Sequence, residues 1–385
     1  MKNVFIIGSK GYKKNYGGWE TFVKNLVDNY NDKETKFFVS EITHEKNISV
    51  SSSSSLVECN SIYVKKMGSA TMLIYTIKAF FYYLNYIKKQ KLDNCYIYVL
   101  GLKMGPFLWF KKRYLKKHNI TVMVNPDGLE WKRDKWNFLI KFYFKLSERM
   151  MFCACDYIIC DSKAIKKYVL DTYRKLKAKV IYISYGANAI DTSLVDKKEV
   201  FKKYNLKANN YYLIVGRFVP ENNLEYIIKE YMRCKSLKKL VIVSNVEYNN
   251  FYKELLMKTE FDKDERIVIL GAIYDKEVLT FLRENAFAYI HGHSVGGTNP
   301  SLLEALNSTN LNLLLNIAFN SEVGSDGALY FNKKDNSLRN LINKVDKYKK
   351  TEINKLGKRA KEIIKNNYSW SLVVDEYKKI IVDKK

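Results

Sequence analysis

The chain has 385 residues, 47% of them hydrophobic and 14% aromatic, and a formal net charge of +26. It is too long for one ordinary core, so two domains are expected, and no apolar run reaches the roughly 18 residues of a membrane-spanning helix. The apolar start Val4–Ile7 is too short for a secretory-signal core. In chain order, strands are predicted at Asn3–Ile7, Lys36–Ser40, Ile62–Lys65, Tyr96–Leu100, Thr121–Val124, Tyr157–Cys160 and Val180–Ser184. A second set follows at Tyr211–Val215, Leu240–Ser244, Ile267–Leu270, Phe287–Ile290, Leu311–Leu315 and Ala328–Phe331. Longer mixed segments separate these runs, and their β-branched and aromatic content suits buried strands. The alternation predicts βαβ units in an α/β chain, with two Rossmann-like parallel-sheet domains facing a cleft. The five serines Ser51–Ser55 read as a flexible loop and Asp191–Asn210 as a linker.

Cys59, Cys95, Cys153, Cys155, Cys160 and Cys234 show no CxxC or Cys/His ligand spacing. Reduced core thiols are expected, and with them a cytoplasmic protein. Residues 1–190 hold 33 Lys+Arg against 15 Asp+Glu, and the remainder 33 against 25. Between Cys59 and Pro126 a single acid, Asp93, stands against twelve bases and thirteen interleaved aromatics. A Lys- and Asn-rich composition accounts for the total but poorly for that stretch. Such a face attracts an anionic surface. The apolar segment Met72–Tyr83 and the basic segment Phe107–His118 fit peripheral attachment to a membrane, or else a core helix beside a charged rim. Binding to nucleic acid is suggested by charge alone and explains none of the strand-end motifs, so no nucleic-acid partner is expected.

Open α/β sheets bind ligands at the carboxyl ends of their strands. Gly8-Ser9-Lys10-Gly11 follows the first strand, then Asn15, Tyr16, Gly17, Gly18 and Glu20 before a helix-like stretch. This is not GxGxxG and lacks the acid about 20 residues on, which disfavours a nicotinamide enzyme. Asn125-Pro126-Asp127-Gly128-Leu129-Glu130-Trp131 follows the fifth strand. Asp127 there can orient or accept a proton from a hydroxyl, although Pro-Asp-Gly is also a common turn. Asp161-Ser162 after the sixth strand can be a helix cap and nothing more. The second set opens with Tyr211–Val215 followed by Gly216-Arg217, where a guanidinium can grip phosphate oxygens or pair with Glu221. The segment His291–Leu306 carries a glycine turn and then a helix opening at Thr298–Ser301, with Glu304 near its start. Free N–H groups and the positive dipole end suit a diphosphate there, and the carboxylate suits a ribose.

Together, Gly8–Gly11, Asn15–Phe22, Asn125–Trp136, Gly216–Asn223 and Gly292–Leu306 resemble glycosyltransferase family 4, of GT-B fold. Within it they are most similar to bacterial rhamnosyltransferases that add an early rhamnose to a lipid-diphosphate-linked sugar in cell-wall or capsular polysaccharide assembly. The resemblance runs from residue 1 to about residue 375. It implies an acceptor-binding domain at 1–190, a linker at 191–208, a nucleotide-sugar domain at 209–368 and a C-terminal helix at 369–385 that packs back on the first domain.

The resemblance also implies site residues. Catalysis falls to Asp127, Arg217 and Glu304. Donor binding falls to Gly17, Gly18, Gly216, Arg217, Asn222, Asn223, Gly297, Thr298, Asn299, Pro300, Ser301 and Glu304. Asn15, Tyr16, Glu20, Glu130, Trp131 and Asp161 lie on the acceptor side. The donor is a nucleotide sugar, dTDP-rhamnose by resemblance, and no metal or further cofactor is required. The acceptor is a lipid-diphosphate-linked sugar at the inner face of the plasma membrane; no oligomeric state is assigned. Transfer is expected to retain anomeric configuration, and Arg217→Ala and Glu304→Ala are expected to lose it while staying folded. Asp262-Lys263-Asp264 has the DxD pattern but precedes a strand and reads as a solvated turn.

Three positions depart from the wider family. Asn222 replaces a lysine, Gly296 replaces the first acid of a glutamate pair, and Asp127 replaces a histidine. Asn222 and Gly296 keep open a non-catalytic GT-B partner subunit; the other alternative is a GT-B hexosyltransferase using a UDP-sugar.

Overall fold

The computed structural model describes the chain except for residues 13–16, 47–50, 127, 133–135, 247–248, 296 and 383–385. It divides into two units, one of residues 1–185 with 370–385 and the other of residues 186–369.

The first unit is built on β1 (Lys2–Ile7), β2 (Thr35–Thr43), β3 (Ser51–Ser54), β4 (Val57–Tyr63), β5 (Cys95–Leu100), β6 (Thr121–Asn125), β7 (Tyr157–Cys160) and β8 (Lys179–Tyr182). Their order in the sheet is β3-β4-β2-β1-β5-β6-β7-β8. Seven strands are parallel, and only β3 runs antiparallel, against β4. The serine run expected as a loop therefore supplies an edge strand: backbone pairing to β4 holds it, with no apolar alternation needed. β4 also begins earlier than predicted, with Val57 and Cys59 buried on one face and Asn60 and Ile62 on the other. In β1 and β5 successive residues are all buried, since helices cover both faces of a parallel sheet.

The C-terminal helix Trp370–Val382 belongs to this unit. Phe22, on helix Gly18–Asn29, packs 6.1 Å from the Trp370 ring and 6.0 Å from the Tyr377 ring. The Tyr377 and Tyr98 hydroxyls hydrogen-bond at 2.7 Å, and Tyr96 donates to the Ile381 carbonyl at 2.7 Å.

The second unit carries β9 (Tyr211–Val215), β10 (Lys239–Val243), β11 (Ile267–Leu270), β12 (Ala288–His291), β13 (Asn312–Leu315) and β14 (Leu329–Phe331). All six are parallel, in the order β11-β10-β9-β12-β13-β14. Residues 191–208, expected as a linker, are part of this unit. Helix Lys197–Tyr204 forms there because Asp196 caps it by accepting from Glu199 N, and Val200 and Leu206 join the core beneath β9 and β10.

Strand order reverses between β1 and β5 in the first sheet and between β9 and β12 in the second. Those reversals open a crevice at the carboxyl ends of the strands, where the sequence motifs lie.

Candidate active site

In the second unit, two loops leave the sheet at the β9/β12 reversal and are tied to each other. Gly292, after β12, approaches the first loop so closely that a Cβ would lie 2.5 Å from the Asn222 carbonyl oxygen. Asn222 donates from Nδ2 to the Arg217 carbonyl at 2.6 Å, and its Oδ1 lies 2.8 Å from His293 Nδ1. Asn223, at φ +52°, donates to the Gly292 carbonyl at 2.8 Å. Ser294 N donates to the Glu221 carbonyl at 2.9 Å. Both asparagines were expected to touch the donor; their side chains instead fasten the two loops. At Asn223 the amide holds a buried backbone carbonyl without the desolvation penalty of a lysine.

This clamp leaves Arg217 at the surface. Its side chain is exposed and makes no hydrogen bond or ion pair among the described residues, so the pairing with Glu221 is not formed. Gly216 keeps the turn narrow, with Asn222 Nδ2 3.0 Å from where its Cβ would be.

The facing element is helix Pro300–Ser308, capped by Asn299, whose side chain accepts from Ser301 N at 2.9 Å. Pro300 has no N–H, and Leu302 N bonds the Asn299 carbonyl at 3.0 Å. The first amides of the helix are therefore engaged, contrary to the free donors expected, and the dipole end is what remains for an anion. Thr298 is buried beside the cap. Ser301 Oγ lies 3.1 Å from the Val215 carbonyl and 3.0 Å from the Tyr289 hydroxyl, joining the helix start to β9 and β12.

Glu304 is not a free carboxylate. Its Oε2 lies 2.7 Å from Nη2 of Arg283, which is 2% exposed, while Glu304 keeps 30% exposure. Arg283 also reaches Ser301 Oγ at 3.3 Å. Sequence reasoning missed Arg283, because the charged helix Lys276–Glu284 reads as solvated. The available signal was its spacing from Thr280, which places both on the inner face.

His291, at the end of β12, is buried and its Nε2 has no partner among the described residues. Burial, aided by the neighbouring His293, lowers its pKa from 6.5 to about 3, so the ring is neutral.

In the first unit, Gly8 (φ +106°) marks the β1/β5 reversal, where a Cβ would lie 2.4 Å from the Leu100 carbonyl oxygen. Gly17 (φ +133°) precedes Gly18, which opens the helix; a Cβ on Gly17 would meet Glu20 Oε2 at 2.0 Å. Glu20 is buried and accepts from Lys10 N at 2.7 Å, so it shapes the glycine loop. Glu130 accepts from Trp136 Nε1 at 3.0 Å. Trp131 faces the Lys145 ammonium at 4.6 Å, which in turn pairs with buried Glu148 at 2.9 Å. Asp161 is buried after β7, and the cap of helix Lys163–Thr172 is Ser162, not Asp161. Asn15, Tyr16, Asp127 and Gly296 lie outside the described residues. Asp264 is bound by Arg266 at 2.7 Å, which occupies the DxD turn internally.

Comparison with known proteins agrees with this architecture. Residues 1–188 match the family model described as a domain of unknown function (DUF1972). The chain is 28% identical to an uncharacterized glycosyltransferase of Methanocaldococcus jannaschii over 71% of this chain and 70% of that one. It is 25% identical to the O-antigen chain mannosyltransferase of Salmonella typhimurium over 57% and 56%. In fold it matches sucrose-phosphate synthase of Thermosynechococcus elongatus (TM-score 0.78, 14% identity, 99% and 98% covered). It also matches Anabaena HepE in complex with UDP and glucose (TM-score 0.72, 13% identity, 100% of each chain). The chain thus has the GT-B fold and is similar in sequence to glycosyltransferases.

Proposed function

We propose that this protein is a retaining glycosyltransferase that moves L-rhamnose from dTDP-rhamnose to a lipid-diphosphate-linked sugar in cell-surface polysaccharide assembly. It works at the inner face of the plasma membrane and needs no metal. The second unit takes the donor and the first takes the acceptor. The observation that carries this reading is the pairing, at one strand-order reversal, of an unengaged Arg217 with a helix start whose Glu304 is held by Arg283.

The bond between the anomeric carbon and the diphosphate oxygen breaks, and negative charge builds on the diphosphate. Arg217 and the dipole of helix Pro300–Ser308 stabilise that charge. The acceptor hydroxyl forms the new bond on the same face, and its proton passes to the departing phosphate oxygen. Glu304 accepts from the ribose. Asp127 positions the acceptor hydroxyl.

A second reading, a hexosyl donor, is favoured by the similarity to a mannosyltransferase. The test is a donor screen with purified protein and a synthetic lipid-diphosphate-GlcNAc or -Glc acceptor, read by mass spectrometry. A deoxyhexose gained from dTDP-rhamnose alone is the expected result. A hexose gained from a UDP- or GDP-sugar replaces the donor. No product with any donor, from folded protein, favours a non-catalytic subunit.

A further inference from the structure

The segment Met72–Tyr83, apolar enough to suggest a membrane contact, lies in a helix whose Tyr75, Thr76, Ala79, Phe80 and Tyr83 are buried in the first unit's core. Its apolar character is accounted for by packing. A different surface is left uncovered. On helix Phe138–Ala154, Phe138 and Leu139 are 78% and 74% exposed, and Phe142 and Leu146 continue the stripe. Leu139, Phe142 and Leu146 recur at helical spacing, opposite the face that buries Phe144, Ser147 and Met151. Helix Gly105–Lys117 lies alongside. It buries Leu108 and Leu115 and exposes Trp109 and Phe110 on the opposite face.

The two helices are locked together. Gly105 meets Ser147 so closely that a Cβ would lie 2.4 Å from the Ser147 Cα, and Gly105 N donates to Ser147 Oγ at 2.8 Å. Further along, Lys112 Nζ donates to the Cys153 carbonyl. The helices therefore run in the same direction, with their exposed apolar residues on one surface. On helix Phe138–Ala154 the stripe begins at the N-terminal end, which follows the carboxyl end of β6 and the segment of Glu130 and Trp131. A patch of this kind on a soluble surface marks an interaction site.

Charge chooses the occupant. Lys112, Arg113, Lys116 and Lys117 are exposed on one helix and Arg149 on the other. The one acid on either helix, Glu148, is buried and bound by Lys145, Tyr168 and Tyr173. A second copy docked on this face would set cations against cations. An anionic bilayer accepts the apolar and aromatic side chains at its interface and the cations at its headgroups.

We propose that the paired helices Gly105–Lys117 and Phe138–Ala154 form the surface by which this protein docks on anionic lipid. This deepens the membrane part of the proposed function and rests on it; sugar chemistry does not enter the test.

The test is co-sedimentation of the full chain with phosphatidylglycerol-containing vesicles and with pure phosphatidylcholine vesicles, at low and high salt. Wild type is expected to pellet with the anionic vesicles at low salt only. Phe142→Ser/Leu146→Ser and Arg113→Gln/Lys117→Gln are each expected to weaken binding about tenfold or more. Their thermal unfolding is expected to match wild type, because these side chains are exposed. Failure of wild type to bind overturns both the membrane reading and this surface. Full binding by both folded variants overturns the surface alone. A wild-type dimer in solution that both variants dissociate overturns it in favour of a second copy.

Discussion

Arg283 Nη2 lies 2.7 Å from Glu304 Oε2 and ties the helix that carries Glu304 to the one before it in sequence. Arg283 is almost wholly buried, so that carboxylate compensates its charge, and Ser301 Oγ is a further partner. The pair fixes where Glu304 can present its second oxygen. It adds a stability cost to the expected loss of activity in Glu304→Ala. Removing the carboxylate leaves a buried cation unpaired.

Glu304→Gln and Glu304→Ala should therefore separate. Glu304→Gln keeps an oxygen for Arg283 but not the charge; it should lose less stability than Glu304→Ala and still lose most of its turnover. Glu304→Ala should lose activity and about 2 kcal/mol of stability, less than the 3–5 of a fully buried pair because Glu304 is 30% exposed. Urea unfolding of both variants beside turnover checks this. Equal stability of the two would show that Arg283 does not depend on Glu304.

Arg217 offers the converse case. It is exposed and its side chain bonds nothing among the described residues, so Arg217→Ala should change stability by less than about 0.5 kcal/mol. Its kcat/KM should fall about 100-fold or more, as a charge-stabilising group is removed. Arg217→Lys should recover part of the loss, since a point charge remains but the two-pronged grip does not. Steady-state kinetics decides this. Wild-type turnover in folded Arg217→Ala would remove it from the donor site.

His291 predicts a pH dependence. Its folded-state pKa is about 3 against an ordinary 6.5. Between those values the unfolded chain binds a proton that the folded chain does not, so stability is present above 6.5 and falls as pH drops. Going from about pH 7 to about pH 5 should cost about 2 kcal/mol from this group alone. His291→Phe, which keeps a ring in the same space, should remove that share of the acid sensitivity. Thermal unfolding of both proteins at the two pH values measures it, and identical slopes would exclude His291 as the source.

Much of the fold was legible because buried parallel strands need continuous β-branched and aromatic runs, as in Tyr211–Val215 and Tyr96–Leu100. The exception was Ser51–Ser54, a strand whose backbone pairs with β4 and whose sequence carries no apolar run. The segment Met72–Tyr83 shows the reverse limit: an apolar helix reads alike whether its cover is lipid or protein.

The candidate site was legible as loops, since glycines and an arginine or glutamate after a strand stand out in the chain. What each polar side chain does there was not. Asn222 finds His293, Asn223 finds Gly292 and Ser301 finds the Val215 carbonyl, all across 69 to 86 residues of chain. The sequence by itself determined the order of strands and helices and placed the candidate chemistry at the carboxyl ends of strands. Only the tertiary structure decided that Asn222 and Asn223 fasten loops, that Glu304 is held by Arg283 and that Arg217 is left free. Local pattern follows from neighbours in the chain, whereas a buried polar group is satisfied by whatever the fold brings to it.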